Sequence, residues 1–373
     1  MSRSKRSKRF RRLRLALIVG SLAGLAAAYR FALRYRERIG IPTRSPVDSS
    51  PAEFGLDFSE VEIPAGDHHL AGWFVPAAPD APKLRRRAAS AAAQTQEAER
   101  RPVIAIVHGW ESNRGRTFAH ARYLHAAGFH CLVFDVRGHG DNPPETLAMS
   151  VPEFAEDTAA AARWLAARPD VSAVGVLGHS MGAAGAIVAA VREPAIEAVV
   201  SASAPADLVR ITRKTFEMAG MNIPEPIATP LAWFTAAILL VPRRHSVEEA
   251  SATAAAGRYR GPLLLIHGAQ DHGVPVEHLE LIGRAAAKHR GPDDGPVETL
   301  VLPDFGHRWL YEDAGCRRKT AAFFARWLGG PVSPEVAGER AAECVVERPA
   351  DPIYGFGALA GKSAPGDRAL NLS

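Results

Sequence analysis

The chain is poor in cysteine: Cys131, Cys316 and Cys344 are the only three in 373 residues, and no CxxC pair occurs. That count excludes a disulfide-stapled scaffold and a cysteine-based zinc module. No internal repeat is visible at solenoid periods. Apart from one stretch near the N-terminus, no apolar run is long enough for a multi-span membrane protein. Hydrophobic residues make up 47% and charged residues 23% of the chain. These are ordinary values for a globular protein that buries a sizeable core, so wholesale disorder and collagen-like repetition are excluded. The formal net charge is +5, but it is unevenly placed. Residues 1–38 hold twelve Lys/Arg and one acid, Glu37, leaving 33 of the 45 basic and 39 of the 40 acidic residues for the rest. The body is mildly acidic, which argues against nucleic acid as a partner.

The basic segment frames the apolar run Leu15–Tyr29, which is followed by Arg30 and Phe31-Ala32-Leu33. Counted from residue 13 to 33, with Arg14 and Arg30 snorkelling, the stretch suffices for a single membrane-spanning anchor. The denser charge precedes it, which keeps residues 1–12 as a cytoplasmic tail and sends the body across the membrane. Two alternatives stay open. One is a cleaved signal peptide ending at Ala26-Ala27-Ala28 and a secreted product; the other is a basic tail on a cytosolic protein.

Pro42–Pro51 reads as a loop, and residues 34–60 as a linker. Val61–Pro64 and Leu70–Pro76 read as an antiparallel hairpin turning at Gly66-Asp67. Residues 78–101 are rich in Ala and Arg without an apolar face, and read as an extended surface loop. Short apolar runs then follow at Val103–Val107, Cys131–Asp135, Val171–Leu177, Ala198–Ser201, Leu263–Ile266 and Thr299–Leu302. Helical stretches separate them at Arg116–Ala127, Val151–Ala167, Met181–Val191 and Pro275–Lys288. This alternation predicts an α/β fold, a mostly parallel twisted sheet with helices on both faces. Residues 205–260, with the helical run Asp207–Met218 and the apolar Pro226–Val241, are too long for one crossover and form an insertion over the sheet. From Gly329 the chain is Pro/Gly/Ala-rich and is expected to wrap the surface or fray as a C-terminal extension, 329–373.

Gly178-His179-Ser180-Met181-Gly182 follows one of these strands and opens a helix of small residues. Gly178 and Gly182 allow a sharp strand-to-helix turn that lifts Ser180 to the sheet's C-terminal edge. The backbone N–H of Met181, at the helix N-terminus, is placed to stabilise a developing oxyanion. A nucleophilic serine needs a base and an orienting carboxylate. Asp271 and His307 fall in the loops after the last two strands, in the chain order Ser, Asp, His. Asp207 is a rival acid, more simply read as a helix start. His267 and His272 are rival bases. The Arg137–His139 loop reads as structural, its glycines needing φ > 0. His68-His69 and the His267/Asp271/His272 group match no metal-binding spacing. Cys131 and Cys316 read as packed thiols.

With these residues in place the sequence resembles the α/β-hydrolase superfamily over about Val61 to Leu328. The resemblance also rests on His108-Gly109-Trp110, on Asp135–Gly140 and on the run Gly268-Ala-Gln-Asp271-His-Gly-Val-Pro275. It is greatest to the serine-aminopeptidase/lysophospholipase-like and prolyl-oligopeptidase-like branches, including membrane-anchored members. It implies a hydrolase domain over 61–328 whose insertion is a helical cap, and a second oxyanion N–H from Trp110. The absence of a His-Gly-Gly-Gly run sets the chain apart from hormone-sensitive-lipase-type esterases. Serine at the elbow sets it apart from dehalogenases and dienelactone hydrolases. The expectation is a serine hydrolase of esters, thioesters or small amides, with an apolar small-molecule acyl substrate and no cofactor. Acyl transfer on the same residues, or a silent tethered binding protein, are the alternatives.

Overall fold

The computed structural model describes residues 3–78 and 100–346. Most of the expected 78–101 loop, and residues 347–373 of the C-terminal extension, lie outside the described residues. The chain opens with helix α1 (Arg3–Ile39) and the antiparallel pair β1 (Ser59–Ala65) and β2 (His68–Val75). It continues through β3 (Arg101–Val107), α2 (Phe118–Ala126), β4 (His130–Phe134), α3 (Val151–Ala166), β5 (Val171–His179), α4 (Met181–Arg192) and β6 (Ile196–Ala202). The insertion holds α5 (Leu208–Met218), α6 (Glu225–Leu240) and the short α7 (Ala252–Ala256). The last elements are β7 (Leu263–Gly268), α8 (Glu277–Ala287), β8 (Val297–Leu302), α9 (Ala314–Leu328) and α10 (Pro334–Glu343).

The eight strands form one sheet in the order β1-β2-β4-β3-β5-β6-β7-β8. β1/β2 and β2/β4 pair antiparallel, and every pair from β4 to β8 is parallel. The central strands β3 to β7 are apolar on both sides because both faces are covered there. In β3, Val103, Ala105 and Val107 point into the core under α3, α4 and α7, while Ile104 and Ile106 point into the opposite core under α2 and α9. After β4 the chain crosses to the far side of β3, so the order reverses around β3 and β5. Such switch points, outside the carboxyl ends of the strands, are where open α/β sheets place their sites.

Two regions depart from expectation. Residues 334–343 neither wrap nor fray: they form α10, with Ala337 and Ala341 buried. Ser333 caps it by accepting from the Val336 N–H, and Pro334 occupies its first turn, a start signal that the Pro/Gly/Ala composition concealed. Arg317 of α9 donates to the carbonyls of Ala341 and Ala342 at its end. At the other terminus, α1 runs unbroken to Ile39, past the expected end of the apolar span. From Arg11 to Ala27 its side chains are exposed; from Phe31 it packs on the cap, with Ala32 fully buried. Gly40 then packs so closely on Leu239 and Ala148 that a Cβ there would overlap both. Residues 40–50 are a pinned strap, because Asn113 donates to the carbonyls of Ser45 (3.2 Å) and Pro46 (2.8 Å) and Arg44 donates to the carbonyl of Gly140 (3.1 Å).

Candidate active site

β5 delivers the chain to Ser180 at φ 55°, ψ −120°, and α4 begins at the next residue. For a residue with a Cβ this backbone is strained, and surrounding contacts must hold it there. Ser180 N–H donates to the carbonyl of Ala202 (2.8 Å), and the Ser180 carbonyl accepts from Ala183 and Ala184 N–H. A Cβ at Gly178 would collide with the Gly182 carbonyl, and one at Gly182 with the backbone of Val107 and His108. Both glycines are therefore demanded by close approach of backbone to backbone.

Asp271 follows β7 and His307 follows β8. Their loops are locked together: Ala269 N–H donates to Leu302 O and Gln270 N–H to Phe305 O, each at 2.9 Å. His307 Nδ1 lies 2.6 Å from Asp271 Oδ2, and His307 Nε2 lies 2.9 Å from Ser180 Oγ. A carboxylate carries no proton, so Nδ1–H donates and Nε2 is left to accept from the serine hydroxyl. Asp271 Oδ1 accepts from the N–H groups of Gly273 (3.0 Å) and Val274 (2.8 Å). Burial alone would raise its pKa. The charge of His307, with hydrogen bonds from His267, His307 and Val274, outweighs that and holds the carboxyl far below the usual carboxylate range.

The rivals are placed elsewhere. His267 is buried; its Nε2–H donates to Val274 O (2.7 Å) and lies 3.4 Å from Asp271 Oδ2, so it supports the acid loop rather than meeting the serine. His272 is exposed. Asp207 is the N-cap of α5, accepting from Arg210 N–H. In the Asp135–Gly140 loop, the Asp135 carboxylate accepts from the Arg114 and Asp141 N–H groups and pairs with the Arg114 guanidinium. A Cβ at Gly140 would collide with that carboxylate, so the loop is a framework. Cys131 and Cys316 are buried, which pushes both thiols up, Cys316 to about 12. Among the described residues, no group of three His, Cys, Asp or Glu is arranged to hold a metal ion.

The loop carrying Trp110 lies against the elbow. A Cβ on Gly109 would stand 3.1 Å from Ser180 Cβ. His108 braces that loop, with Nδ1–H donating to Gly109 O (2.7 Å) and Nε2 accepting from Val136 N–H (3.0 Å). Burial pushes His108 down to about 4, which keeps it neutral for both bonds. The Trp110 ring rests on His139 and Phe154. Trp110 and Met181, the two candidate oxyanion positions, therefore border Ser180 from the β3 loop and from the start of α4.

Sequence reasoning missed His179. Its Nε2–H donates to the backbone carbonyl of His307 at 2.8 Å, tying the elbow to the neighbouring loop. The only signal was a polar residue at a strand end otherwise made of small and apolar ones.

A nucleophile-elbow serine in contact with a histidine–carboxylate pair, at the switch point of a mostly parallel sheet, defines an α/β hydrolase of the serine type. The chain has the α/β-hydrolase fold. The family model for serine aminopeptidase, S33, matches residues 98–239, a span that includes the elbow. An uncharacterized Mycobacterium tuberculosis protein, MT2364, is 27% identical over 302 residues, covering 80% of this chain and 89% of that one. Among solved structures, the Pyrococcus furiosus esterase Pf2001 is similar, with a TM-score of 0.56 and 23% identity over 77% of this chain and 100% of that one. A puromycin-hydrolyzing peptidase of Mycobacterium tuberculosis superposes with a TM-score of 0.55 at 20% identity, over 74% of this chain and 40% of that one.

Proposed function

We propose that the chain hydrolyses an ester, thioester or small amide through an acyl-enzyme on Ser180. The reading is carried by one observation: the unbroken hydrogen-bond path from Asp271 through His307 to the hydroxyl of a strained elbow serine. Ser180 Oγ attacks the substrate carbonyl while His307 Nε2 takes its proton. The buried carboxylate of Asp271 holds the tautomer and stabilises the imidazolium. The N–H groups of Trp110 and Met181 receive the tetrahedral oxyanion. His307 then returns the proton to the leaving group, and a water activated by the same imidazole releases the acid. The Trp110 ring, set on His139 and Phe154 in the loop beside Ser180, offers an apolar surface, which fits an apolar acyl group.

In the same reading, α1 is a single membrane span. Its bare apolar stretch has exposed Leu15, Leu17, Ile18, Val19, Leu22 and Leu25, with arginines at both ends. The denser positive charge ahead of the span places the catalytic body on the extracytoplasmic side.

Labelling with a fluorophosphonate probe tests the chemistry. Wild type is expected to label on Ser180 and to turn over p-nitrophenyl esters of some chain length or aminoacyl-naphthylamides. In another triad hydrolase, losing the nucleophile cost roughly six orders of magnitude in kcat. A comparable loss is expected for Ser180→Ala, and equal turnover in that variant would end the reading.

A further inference from the structure

A cavity of about 470 Å³ lies between the C-terminal part of α1 and α5. That is within the ~300–1,000 Å³ range of small-ligand sites. Its apolar wall is built by Phe31 and Tyr35 of α1, Phe216 of α5 and Met221. The Phe31 and Tyr35 rings meet Phe216 edge-on, with centroids 5.5 and 5.9 Å away. Arg34, Arg38 and Ile39 also line it from α1; the two arginines are exposed, and no acid lines the cavity. None of these residues belongs to the elbow, the Asp271 loop or the His307 loop, so the cavity is separate from the candidate active site.

Its place along α1 decides what fills it. Arg30 is the first charge after the bare apolar stretch. With the span ending at Leu33 and Arg30 snorkelling, Arg34 and Arg38 stand about 1.5 and 7.5 Å beyond the hydrocarbon edge along the helix axis, at about 1.5 Å per residue. A headgroup layer is on the order of 5–8 Å deep on each side of the bilayer. Arg34 and Arg38 therefore both fall within the headgroup layer, with the apolar cavity opening beside them. Alongside, α6 leaves Ile227 57% and Trp233 55% exposed. Tryptophan is enriched at the membrane–water boundary.

We propose that this cavity binds one glycerophospholipid of the bilayer that α1 traverses. An acyl chain lies against Phe31, Tyr35, Phe216 and Met221, and the phosphate is held by Arg34 and Arg38, whose planar forks suit phosphate oxygens. The lipid clamps the cap to the membrane surface. The site rests on the membrane-span reading of α1 and is independent of the chemistry at Ser180.

The test uses the full-length chain reconstituted in phosphatidylglycerol vesicles, washed in alkaline carbonate, extracted in a non-phospholipid detergent and read by native mass spectrometry. Arg34→Glu/Arg38→Glu is compared with it, thermal unfolding confirming that the variant is folded. Met221→Trp, which fills the cavity without touching the charges, is the second variant. Wild type is expected to resist the carbonate wash and to carry one phospholipid. Each variant is expected to stay in the membrane and to lose occupancy tenfold or more. A lipid-free wild type, or unchanged occupancy in both variants, overturns the site and leaves the anchor standing. Release of wild type by carbonate overturns the anchor reading and the site with it. No readout passes through Ser180, so failure of the hydrolase reading leaves this test intact.

Discussion

His179 and Ser180, neighbours in the chain, both hold His307: Ser180 Oγ meets its Nε2 at 2.9 Å, and His179 Nε2 binds its backbone carbonyl at 2.8 Å. The elbow thus grips both the ring and the main chain of the residue proposed as base. Burial, reinforced by the charge of His307, pushes His179 down to about 3, so at neutral pH it is an uncharged donor of one proton. His179→Leu removes that donor and frees the loop. A misplacement of about 1 Å costs up to ~100-fold in rate, so kcat is expected to fall ten- to a hundredfold with KM little changed, and His179→Gln to recover part of the loss. Steady-state kinetics on the best p-nitrophenyl ester decides it; unchanged kcat in the leucine variant would reduce His179 to a packing residue.

The φ of 55° at Ser180 predicts a stability effect opposite to the activity effect. Strain of this kind costs ~1–3 kcal/mol, and glycine is free of it. Glycine also gives the unfolded chain ~0.4–1 kcal/mol more entropy to lose. Ser180→Gly is therefore expected to be about 1 kcal/mol more stable than Ser180→Ala, both being inactive. The two variants share the loss of the hydroxyl, so the difference between their urea midpoints isolates the backbone. Coincident midpoints would mean that the elbow carries no net strain.

How much of this was readable in the sequence follows from what local chemistry encodes. The elbow and the acid loop were legible because each is a glycine-bearing turn at the end of a doubly buried strand, and the His307 loop because such a turn follows the short apolar edge strand β8. A short, continuous apolar run gives such strands away. Asp207 was legible as a helix start for a similar reason, since capping is a matter of a few adjacent residues. The strap was not legible: Ser45 and Pro46 are fixed by Asn113, and Thr43 N–H by the Glu111 carboxylate at 3.0 Å, partners more than sixty residues away. Nor was α10, whose buried face consists of Ala337, Gly338 and Ala341 and has no apolar period to detect.

Asp271→Asn keeps the shape of the acid but removes its charge. The asparagine favours the wrong imidazole tautomer, which in another triad enzyme lowered kcat about 10⁴-fold, and a loss of that order is expected here. The stability consequence has a definite sign. The folded-state pKa of Asp271 lies below its unfolded value. Its contribution is therefore present above about pH 4, the unfolded carboxylate range, and fades as pH falls below it. Wild type is expected to exceed the variant in denaturant midpoint at pH 7, and the gap to narrow towards pH 3. A gap that widens on acidification would contradict the charge assignment.

His245, between α6 and α7 of the insertion, has the opposite sign. Its Nε2 lies 3.0 Å from Glu153 and 3.6 Å from Glu156 at the start of α3, with Arg243 pairing to Glu145 beside it. The hydrogen bond to Glu153 leads the causes that raise its pKa, with Glu156 and Glu249 adding to it against the cost of burial. A raised histidine stabilises fully below about pH 6.5, its unfolded value, and loses that contribution as pH climbs through the folded value. His245→Gln should cost stability at pH 6 and progressively less towards pH 9, read from thermal midpoints across the series. His68, similarly raised beside Asp157, is present in both proteins and cancels. An equal cost at every pH would show that His245 acts through packing alone.

Two truncations separate the membrane-facing part of α1 from the part that belongs to the fold. A chain starting at Ala28 loses the bare apolar stretch but keeps Phe31, Ala32 and Tyr35 on α5 and α6. A chain starting at Gly40 loses these as well and uncovers Phe216, which is 2% exposed in the intact protein. Fully burying a large apolar side chain stabilises by about 1.5–3 kcal/mol. Two half-buried aromatics and a buried alanine thus amount to about 3 kcal/mol, a drop in Tm of several degrees for a domain this size. The longer chain is expected to be soluble, to melt with the full-length body and to label normally at Ser180. The shorter one is expected to melt lower and to expose apolar surface to a reporter dye. Identical melting of the two would show that residues 28–39 are only a tether, and that the cap is complete without them.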